Sequence, residues 1–263
     1  NTEPALNTTL NIIDKTAESK KKSLIIINGV PGAGKTLVGL QVSHAKNLGK
    51  LAKESKKNET PTSIAVFLSG NGPLVEVLQY ELRQAGGGGK AFVRGVHEYV
   101  RTFTKSSSPV PPHHVLIYDE AQRAFDSLQV REKQKHLPKE YYGLSEPELF
   151  IQFAERVPDW CVVIGLIGTG QEIHIGEEAG VNQWAKAILN SSFKNEWNIY
   201  IPDTKIMKEE FSSIDNYSTY KELNLSNTIR FHLAEELHDF VKYLLEGNAD
   251  KAFSLSKVLE KNN

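Results

Sequence analysis

Short apolar runs recur along the chain and are separated by longer amphipathic stretches. The runs occupy residues 24–27, 64–68, 115–118, 161–167 and 198–201. Runs of this kind are typical of strands that are buried on both faces of a parallel sheet. Helices are predicted around 74–84, 147–157 and 184–189, whereas 205–221 follows neither period and is predicted to be irregular. Because strands and helices alternate, the pattern predicts an α/β fold with a mostly parallel sheet covered by helices on both faces.

The loop after the first apolar run has the composition of a phosphate-binding loop. Residues 29–36 read G-V-P-G-A-G-K-T and fit the pattern G-x-x-x-x-G-K-[ST]. Glycines let backbone N–H groups turn toward phosphate oxygens, and the following helix adds partial positive charge at its N-terminus. Lys35 is suited to the β- and γ-phosphates, and the Thr36 hydroxyl is suited to Mg²⁺. The predicted nucleotide-binding residues are Gly29, Pro31, Gly32, Ala33, Gly34, Lys35, Thr36 and Leu37.

Two carboxylates follow the third apolar run, which is the Walker B pattern. Asp119 is suited to hold Mg²⁺ through water, opposite Thr36. Glu120 is suited to orient and deprotonate an attacking water. An Asp-Glu pair is a weak signal alone and becomes a strong one with a phosphate-binding loop upstream. The two motifs together predict nucleotide binding and hydrolysis.

Polar residues also follow other predicted strands, at the sheet edge where ligands bind in such folds. Asn71 and Gly72 follow the second run, His97 follows a shorter one, and Gln171 follows the fourth. Gln171 is placed where it could bond a γ-phosphate or the attacking water. An ordinary turn explains Asn71 and Gly72 equally well, and a lone histidine such as His97 is more often structural.

Charge and composition narrow the choice of partner. The 263 residues carry a formal net charge of −1, so there is no global electrostatic argument for nucleic acid, and only a local basic face remains open. Residues 125–144 mix lysines with tyrosines. Two interpretations fit that segment: a loop that contacts nucleic acid by stacking and charge, or an exposed insertion.

Cysteine usage and hydropathy indicate a cytoplasmic protein without a membrane span. The single cysteine, Cys161, excludes an internal disulfide and fits a reducing compartment. No apolar run approaches the roughly 18 residues of a transmembrane helix, and the N-terminus does not resemble a secretory signal. Four consecutive glycines at 86–89 predict a flexible bridge. Our hypothesis is that this bridge is an engineered replacement for a longer loop.

Four stretches carry a resemblance to a known family. They are G-V-P-G-A-G-K-T (29–36), Y-D-E-A-Q-R-A (118–124), G-T-G-Q-E-I-H (168–174) and L-N-L-S-N-T-I-R (223–230). Together they resemble the first RecA-like domain of a superfamily 1 helicase. More closely, they resemble a group of bacterial helicase-like ATPases of unknown function that is related to the helicase domain of Schlafen proteins. The resemblance spans nearly the whole chain, which we interpret as a single RecA-like domain over 1–263.

The resemblance implies ATP and Mg²⁺ as cofactors and single-stranded DNA or RNA as a partner. Gln171 matches the glutamine that couples the γ-phosphate to nucleic acid, and Arg230 matches an arginine that contacts the γ-phosphate. The implied catalytic residues are Glu120, Lys35, Gln171 and Arg230. The candidate nucleic-acid contacts are Asn71, Gly72 and His97, of which the first two fall where relatives touch the nucleic-acid backbone.

The chain departs from the family pattern in three places. Thr169 stands where many superfamily 1 proteins have an aspartate, and no glutamine precedes Gln41 to select adenine. A second RecA-like domain is not found in the sequence. We therefore expect slow hydrolysis and no translocation by this chain alone, with a second such domain or a partner protein completing the site.

Three functions are compatible with these motifs. The first is the motor domain of a DNA or RNA helicase-like ATPase, which the occurrence of the family connects to bacterial phage defence by analogy. The second is an ATP-gated switch that controls a partner or a nuclease without unwinding. The third, a small-molecule kinase, predicts an arginine-rich lid, and the sequence has no such arginine cluster.

Overall fold

Eight strands form one sheet in the part of the chain that the structure describes, and helices lie between them along the chain. The computed structural model describes residues 2–46, 48–49, 51, 63–84, 89–105, 107, 109–133, 137–168, 180–226, 240, 243–244 and 247–261. The strands are β1 (Lys22–Gly29), β2 (Ala65–Ser69), β3 (Val93–Gly95), β4 (Val115–Tyr118), β5 (Cys161–Gly168), β6 (Trp197–Pro202), β7 (Ser218–Tyr220) and β8 (Asn224–Leu225). The α-helices are Glu3–Ser19, Lys35–Ser43, Gly72–Gln84, Gly89–Phe92, Val96–Phe103, Ser127–Lys133, Glu146–Arg156, Asn182–Asn190, Lys205–Glu210 and Ala249–Lys261.

The strands are ordered β3-β2-β4-β5-β1-β6-β7, and β8 pairs with the end of β1. Every pairing among the described strands is parallel. Strand β5 lies between β1, which leads into the phosphate-binding loop, and β4, which leads into Asp119. All these strands end at one edge of the sheet, which therefore gathers the polar residues that follow them.

Alternate residues along the central strands β1, β2, β4 and β5 supply two separate hydrophobic cores, one on each face. On β1, Leu24 and Ile26 belong to one core, and Ile25 and Ile27 belong to the other. The first core also contains buried residues of helices Val96–Phe103, Glu146–Arg156 and Asn182–Asn190. The second contains buried residues of helices Glu3–Ser19 and Lys35–Ser43. This arrangement confirms the predicted α/β fold with a parallel sheet covered on both faces.

The helix after the phosphate-binding loop packs directly on the sheet at Gly39. A Cβ atom at this position would lie 2.7 Å from Leu166 Cδ1, 2.9 Å from Phe67 Cε2 and 3.2 Å from Ile117 Cγ2. A side chain at this position would force the side chains of Leu166 and Phe67 to move. Gly39 therefore allows the close approach that sets the position of the helix, and with it the positions of Lys35 and Thr36.

Two sequence-based expectations are corrected by the structure. Residues 205–221 are not irregular throughout, since they contain the helix Lys205–Glu210 and strand β7. That helix is too short for its period to be visible in the sequence, and it is held by Met207, which is fully buried. Residues 125–144 are not an exposed insertion throughout either, because among the described residues of this range Val130, Leu137 and Tyr141 are buried in the first core. Of the tetraglycine at 86–89, residues 86–88 lie outside the described part of the chain.

None of the helices in the described ranges combines the length and the apolar composition that crossing a bilayer requires.

Candidate functional site

Three glycines shape the phosphate-binding loop, for two different reasons. Gly32 and Gly34 have φ values of +75° and +95°, a region that side chains disfavour. Gly34 is also the N-cap of the helix Lys35–Ser43. At Gly29, by contrast, a Cβ atom would lie 2.9 Å from both Cβ and the carbonyl oxygen of Leu225. The first glycine is therefore needed because β8 passes close to the end of β1.

Lys35 is folded against its own loop. Its Nζ donates hydrogen bonds to the carbonyl oxygens of Gly29 at 2.7 Å and Val30 at 3.2 Å. Burial lowers the pKa of Lys35, and the charges of Glu120 and Asp119 oppose that shift. The ammonium group therefore lies in one electrostatic cluster with both carboxylates of the second motif.

Thr36 and Asp119 meet at the end of the sheet. Thr36 Oγ1 donates a hydrogen bond to Asp119 Oδ1 at 3.2 Å. Burial, followed by the charge of Glu120, raises the pKa of Asp119 to about 6, although the Thr36 bond and Lys35 act in the opposite direction. A hydroxyl and a carboxylate are both oxygen donors, which are the ligands that Mg²⁺ prefers. The pair thus fits the metal site that the sequence predicts.

Glu120 occupies a turn of unusual backbone conformation beside this pair. Its φ is +53°, which is uncommon for a residue other than glycine. Its carboxylate accepts a 2.6 Å hydrogen bond from Gln122 Nε2 and lies 3.8 Å from Arg123 Nε. Since its charge acts on both Lys35 and Asp119, Glu120 belongs to the same cluster.

The remaining predicted loop residues differ in exposure. Ala33 is buried and donates its backbone N–H to the Val30 carbonyl at 3.1 Å. Pro31 is half-buried, and Leu37 is exposed on the first turn of the helix. These three therefore shape and border the loop, while Lys35 and Thr36 supply its polar side-chain atoms.

The structure does not bring the predicted nucleic-acid contacts into the phosphate-binding loop. Asn71 and Gly72 follow β2, which lies three strand positions from β1 in the sheet. His97 follows β3, which lies four strand positions from β1. At about 4.8 Å per strand, these separations are roughly 14 and 19 Å. Asn71 Oδ1 accepts from Leu74 N at 3.2 Å and caps the helix Gly72–Gln84. The three residues therefore line a more distant part of the same sheet edge.

His97 has structural partners of its own. Its ring stacks on Phe125 with centroids 4.9 Å apart, and Nδ1 lies 3.3 Å from Glu146 Oε1. The histidine side chain is nevertheless about half exposed. Its assignment to nucleic acid stays a prediction.

Two predicted catalytic residues, Gln171 and Arg230, lie outside the described residues. The strands that precede them are described. Gly168 ends β5 before the first, and Leu225 ends β8 before the second. The carbonyl of Leu225 accepts a hydrogen bond from Val30 N at 3.3 Å, so the end of β8 is attached directly to the phosphate-binding loop.

Two buried polar side chains near the site were not predicted from the sequence. Gln122 is 2% exposed, and its Oε1 accepts from the N–H of Gly168 at 3.0 Å. Glu146 is fully buried and accepts a 2.6 Å hydrogen bond from the Tyr118 hydroxyl. The place of Gln122, two residues after Glu120, was an available signal. Glu146 has no local signal, because it comes from a helix later in the chain.

One comparison with known proteins identifies the family of this chain. The family model for the Schlafen group 3, DNA/RNA helicase domain matches residues 22–262, which is nearly the whole chain. A comparison with curated proteins finds no significant match. The family match confirms the resemblance to Schlafen-related helicases, and the parallel sheet with its phosphate-binding loop is consistent with a RecA-like fold. The chain therefore belongs to the Schlafen group 3 DNA/RNA helicase domain family.

Proposed function

We propose that this chain is an ATP-binding, Mg²⁺-dependent ATPase domain, the first RecA-like domain of a superfamily 1 DNA or RNA helicase-like protein. One observation carries the proposal: the 3.2 Å hydrogen bond between Thr36 Oγ1 and Asp119 Oδ1. It joins two motifs that are 83 residues apart in sequence into a single site. Phosphate-binding loops and acidic strand ends of other proteins use this pairing to hold nucleotide and metal.

The side chains of the cluster divide the chemistry between them. Lys35 exchanges its two loop carbonyls for oxygens of the β- and γ-phosphates. Thr36 and Asp119 would hold Mg²⁺, which would supply positive charge to neutralise the phosphates. Glu120 takes a proton from a water molecule as the water oxygen attacks the γ-phosphorus and the bond to the ADP oxygen breaks. Gln171 and Arg230 contact the γ-phosphate in the same proposal.

The proposal also covers the binding partners of the chain and its cellular role. Single-stranded DNA or RNA lies along the sheet edge past Asn71, Gly72 and His97, and its binding is coupled to hydrolysis. A second RecA-like domain or a partner protein completes the site from the other side of the nucleotide. The protein acts in the cytoplasm, in bacterial phage defence.

An ATP-gated switch is a second candidate that one observation favours. The Val30 N–H donates to the Leu225 carbonyl at 3.3 Å, which ties the phosphate-binding loop to the end of β8. A loop that reshapes around phosphates would move this strand end, and a partner protein that contacts it could respond without any unwinding.

ATP binding and turnover test the proposal. The wild-type chain is compared with Lys35→Ala and Glu120→Gln, each with and without single-stranded DNA and RNA. Lys35→Ala should abolish ATP binding, and Glu120→Gln should keep binding while turnover falls by about 10²–10⁴-fold. Glu140→Gln, an exposed site in the turn Lys139–Tyr141, is the matched control and should behave as wild type.

The outcomes separate the two candidates. Turnover that requires Glu120 and rises with one nucleic acid supports the motor function and identifies whether the motor acts on DNA or RNA. Turnover that requires Glu120 and ignores both nucleic acids supports the switch. A chain that does not bind ATP, or that binds it equally well after Lys35→Ala, contradicts both.

A further inference from the structure

A buried glutamine at the tip of β4 has no role in the chemistry described above. Gln122 lies in the 3₁₀ turn Ala121–Arg123 and is 2% exposed. Its Nε2 donates to Glu120 Oε2 at 2.6 Å, and its Oε1 accepts from Gly168 N at 3.0 Å. One amide group therefore connects the carboxylate at the end of β4 to the last residue of β5.

The backbone around Gln122 is held in place by packing. The indole Nε1 of Trp184, which is fully buried, donates to the Ala121 carbonyl at 3.0 Å. Beneath the turn, a Cβ atom at Gly165 would lie 3.3 Å from Ala121 Cβ. The turn thus packs closely on β5, and the side chain of Gln122 starts from a supported backbone.

The contacts of Glu120 differ in strength. The bond from Gln122 is short, and its donor is buried. The contact with Arg123 Nε is 3.8 Å long, and the Arg123 side chain is 45% exposed, so water competes with it. Hydrogen bonds to a charged acceptor are the stronger kind, and the donor of this one is shielded from water although the Glu120 side chain is 37% exposed.

We propose that Gln122 is a positioning residue that holds the Glu120 carboxylate where it activates water, and that it links this position to the end of β5. The inference rests on the proposed hydrolysis of ATP. Gly168 is the last described residue before 169–179, the segment that contains Gln171. A movement at the end of β5 would therefore reach Glu120 through a single side chain.

Two substitutions separate the two hydrogen bonds of Gln122. Gln122→Glu keeps an acceptor for the Gly168 N–H and has no N–H donor for Glu120. Gln122→Met has a similar size and makes neither bond. Gln183→Met is the matched control, since Gln183 is 6% exposed and donates to the Ala124 carbonyl at 3.4 Å, with no bond to Glu120.

The measurements are kcat and KM for ATP, equilibrium ATP binding, and melting temperature as a check on folding. Single-turnover conditions with excess protein follow even slow hydrolysis. Both Gln122 variants should lower kcat by about tenfold or more, because a displaced general base loses part of its effect. KM and ATP binding should stay within about twofold in both, since neither bond touches the phosphate-binding loop. Gln183→Met should leave kcat within about twofold.

A double-mutant cycle distinguishes positioning from general structural damage. If Gln122 acts through Glu120, then Gln122→Glu should change kcat by less than about twofold in a Glu120→Gln background. The Gln122→Met variant gives the same cycle if Gln122→Glu does not fold.

Several results would overturn the inference. Wild-type kcat in Gln122→Glu would mean that the glutamine only supports Gly168. If the fold-losses in kcat of the two single variants multiply in the double variant, Gln122 acts independently of Glu120. Turnover in the wild type that does not need Glu120, or absent ATP binding, would instead refute the proposed function. If turnover depends on Glu120 but Gln122→Glu leaves kcat unchanged, the positioning role of Gln122 is refuted and the proposed ATPase function stands.

Discussion

Replacing Asp119 with asparagine is expected to stabilise the nucleotide-free protein. Burial, and then the charge of Glu120, raise the pKa of Asp119 from 3.8 to about 6. Each pKa unit corresponds to roughly 1.4 kcal/mol, so the ionised carboxylate lowers the free energy of unfolding by about 3 kcal/mol. Asparagine has nearly the same shape, carries no charge and keeps an oxygen that accepts the Thr36 hydroxyl. The charge of Asp119 that metal binding requires therefore lowers the stability of the nucleotide-free protein.

The pH dependence of this effect has a definite sign. The pKa of Asp119 is higher in the folded state than in the unfolded state, so the folded protein binds the proton more tightly. The destabilisation is therefore fully present above about pH 6 and disappears as the pH falls toward the unfolded-state value of about 4. The advantage of Asp119→Asn should be largest near pH 8 and fall to about half by pH 5.

Urea denaturation of the wild type and Asp119→Asn between pH 5 and pH 8, without nucleotide, measures the difference. Asp159→Asn is the control, because Asp159 is 60% exposed and its ion pair with Lys20 is 3.8 Å long. That control should stay within about 0.5 kcal/mol of the wild type. Adding ATP and Mg²⁺ should reverse the order, since only the wild type gains full binding energy. An Asp119→Asn variant that is less stable at pH 8, or equally stabilised at both pH values, would refute the reasoning.

Two further stability predictions concern the support of the site. Gly39→Ala should cost about 1–2 kcal/mol because its Cβ would overlap Leu166, even though alanine favours helices, whereas Gly70→Ala enters open space and should be nearly neutral. Urea denaturation measures the free energy of unfolding of both variants. If Gly39→Ala and Gly70→Ala are equally stable, the packing argument is contradicted. Tyr118→Phe should cost about 1–3 kcal/mol because it removes a donor from the fully buried Glu146 carboxylate. An unchanged melting temperature in that variant would show that the bond contributes little.

The local features of this protein were predictable from its sequence. Gly32 and Gly34 adopt the positive φ values for which glycine is suited, and Lys35 begins a helix directly after them. The apolar runs became buried strands because a sheet covered on both faces needs no polar alternation. The family resemblance followed from the same motifs, since loop, helix start and strand end are each encoded by neighbouring residues.

Only the tertiary structure decided how these pieces meet. The position of β5 between β1 and β4 depends on competing strand pairings, and the strand sequences alone do not rank them. Gly29 is needed because Leu225, almost two hundred residues later, passes against it. The bridge from Glu120 through Gln122 to Gly168 likewise joins two strands that are distant in sequence. Such contacts form between surfaces that exist only after the sheet has assembled, so the sequence determined the chemistry of the groups and the fold determined their partners.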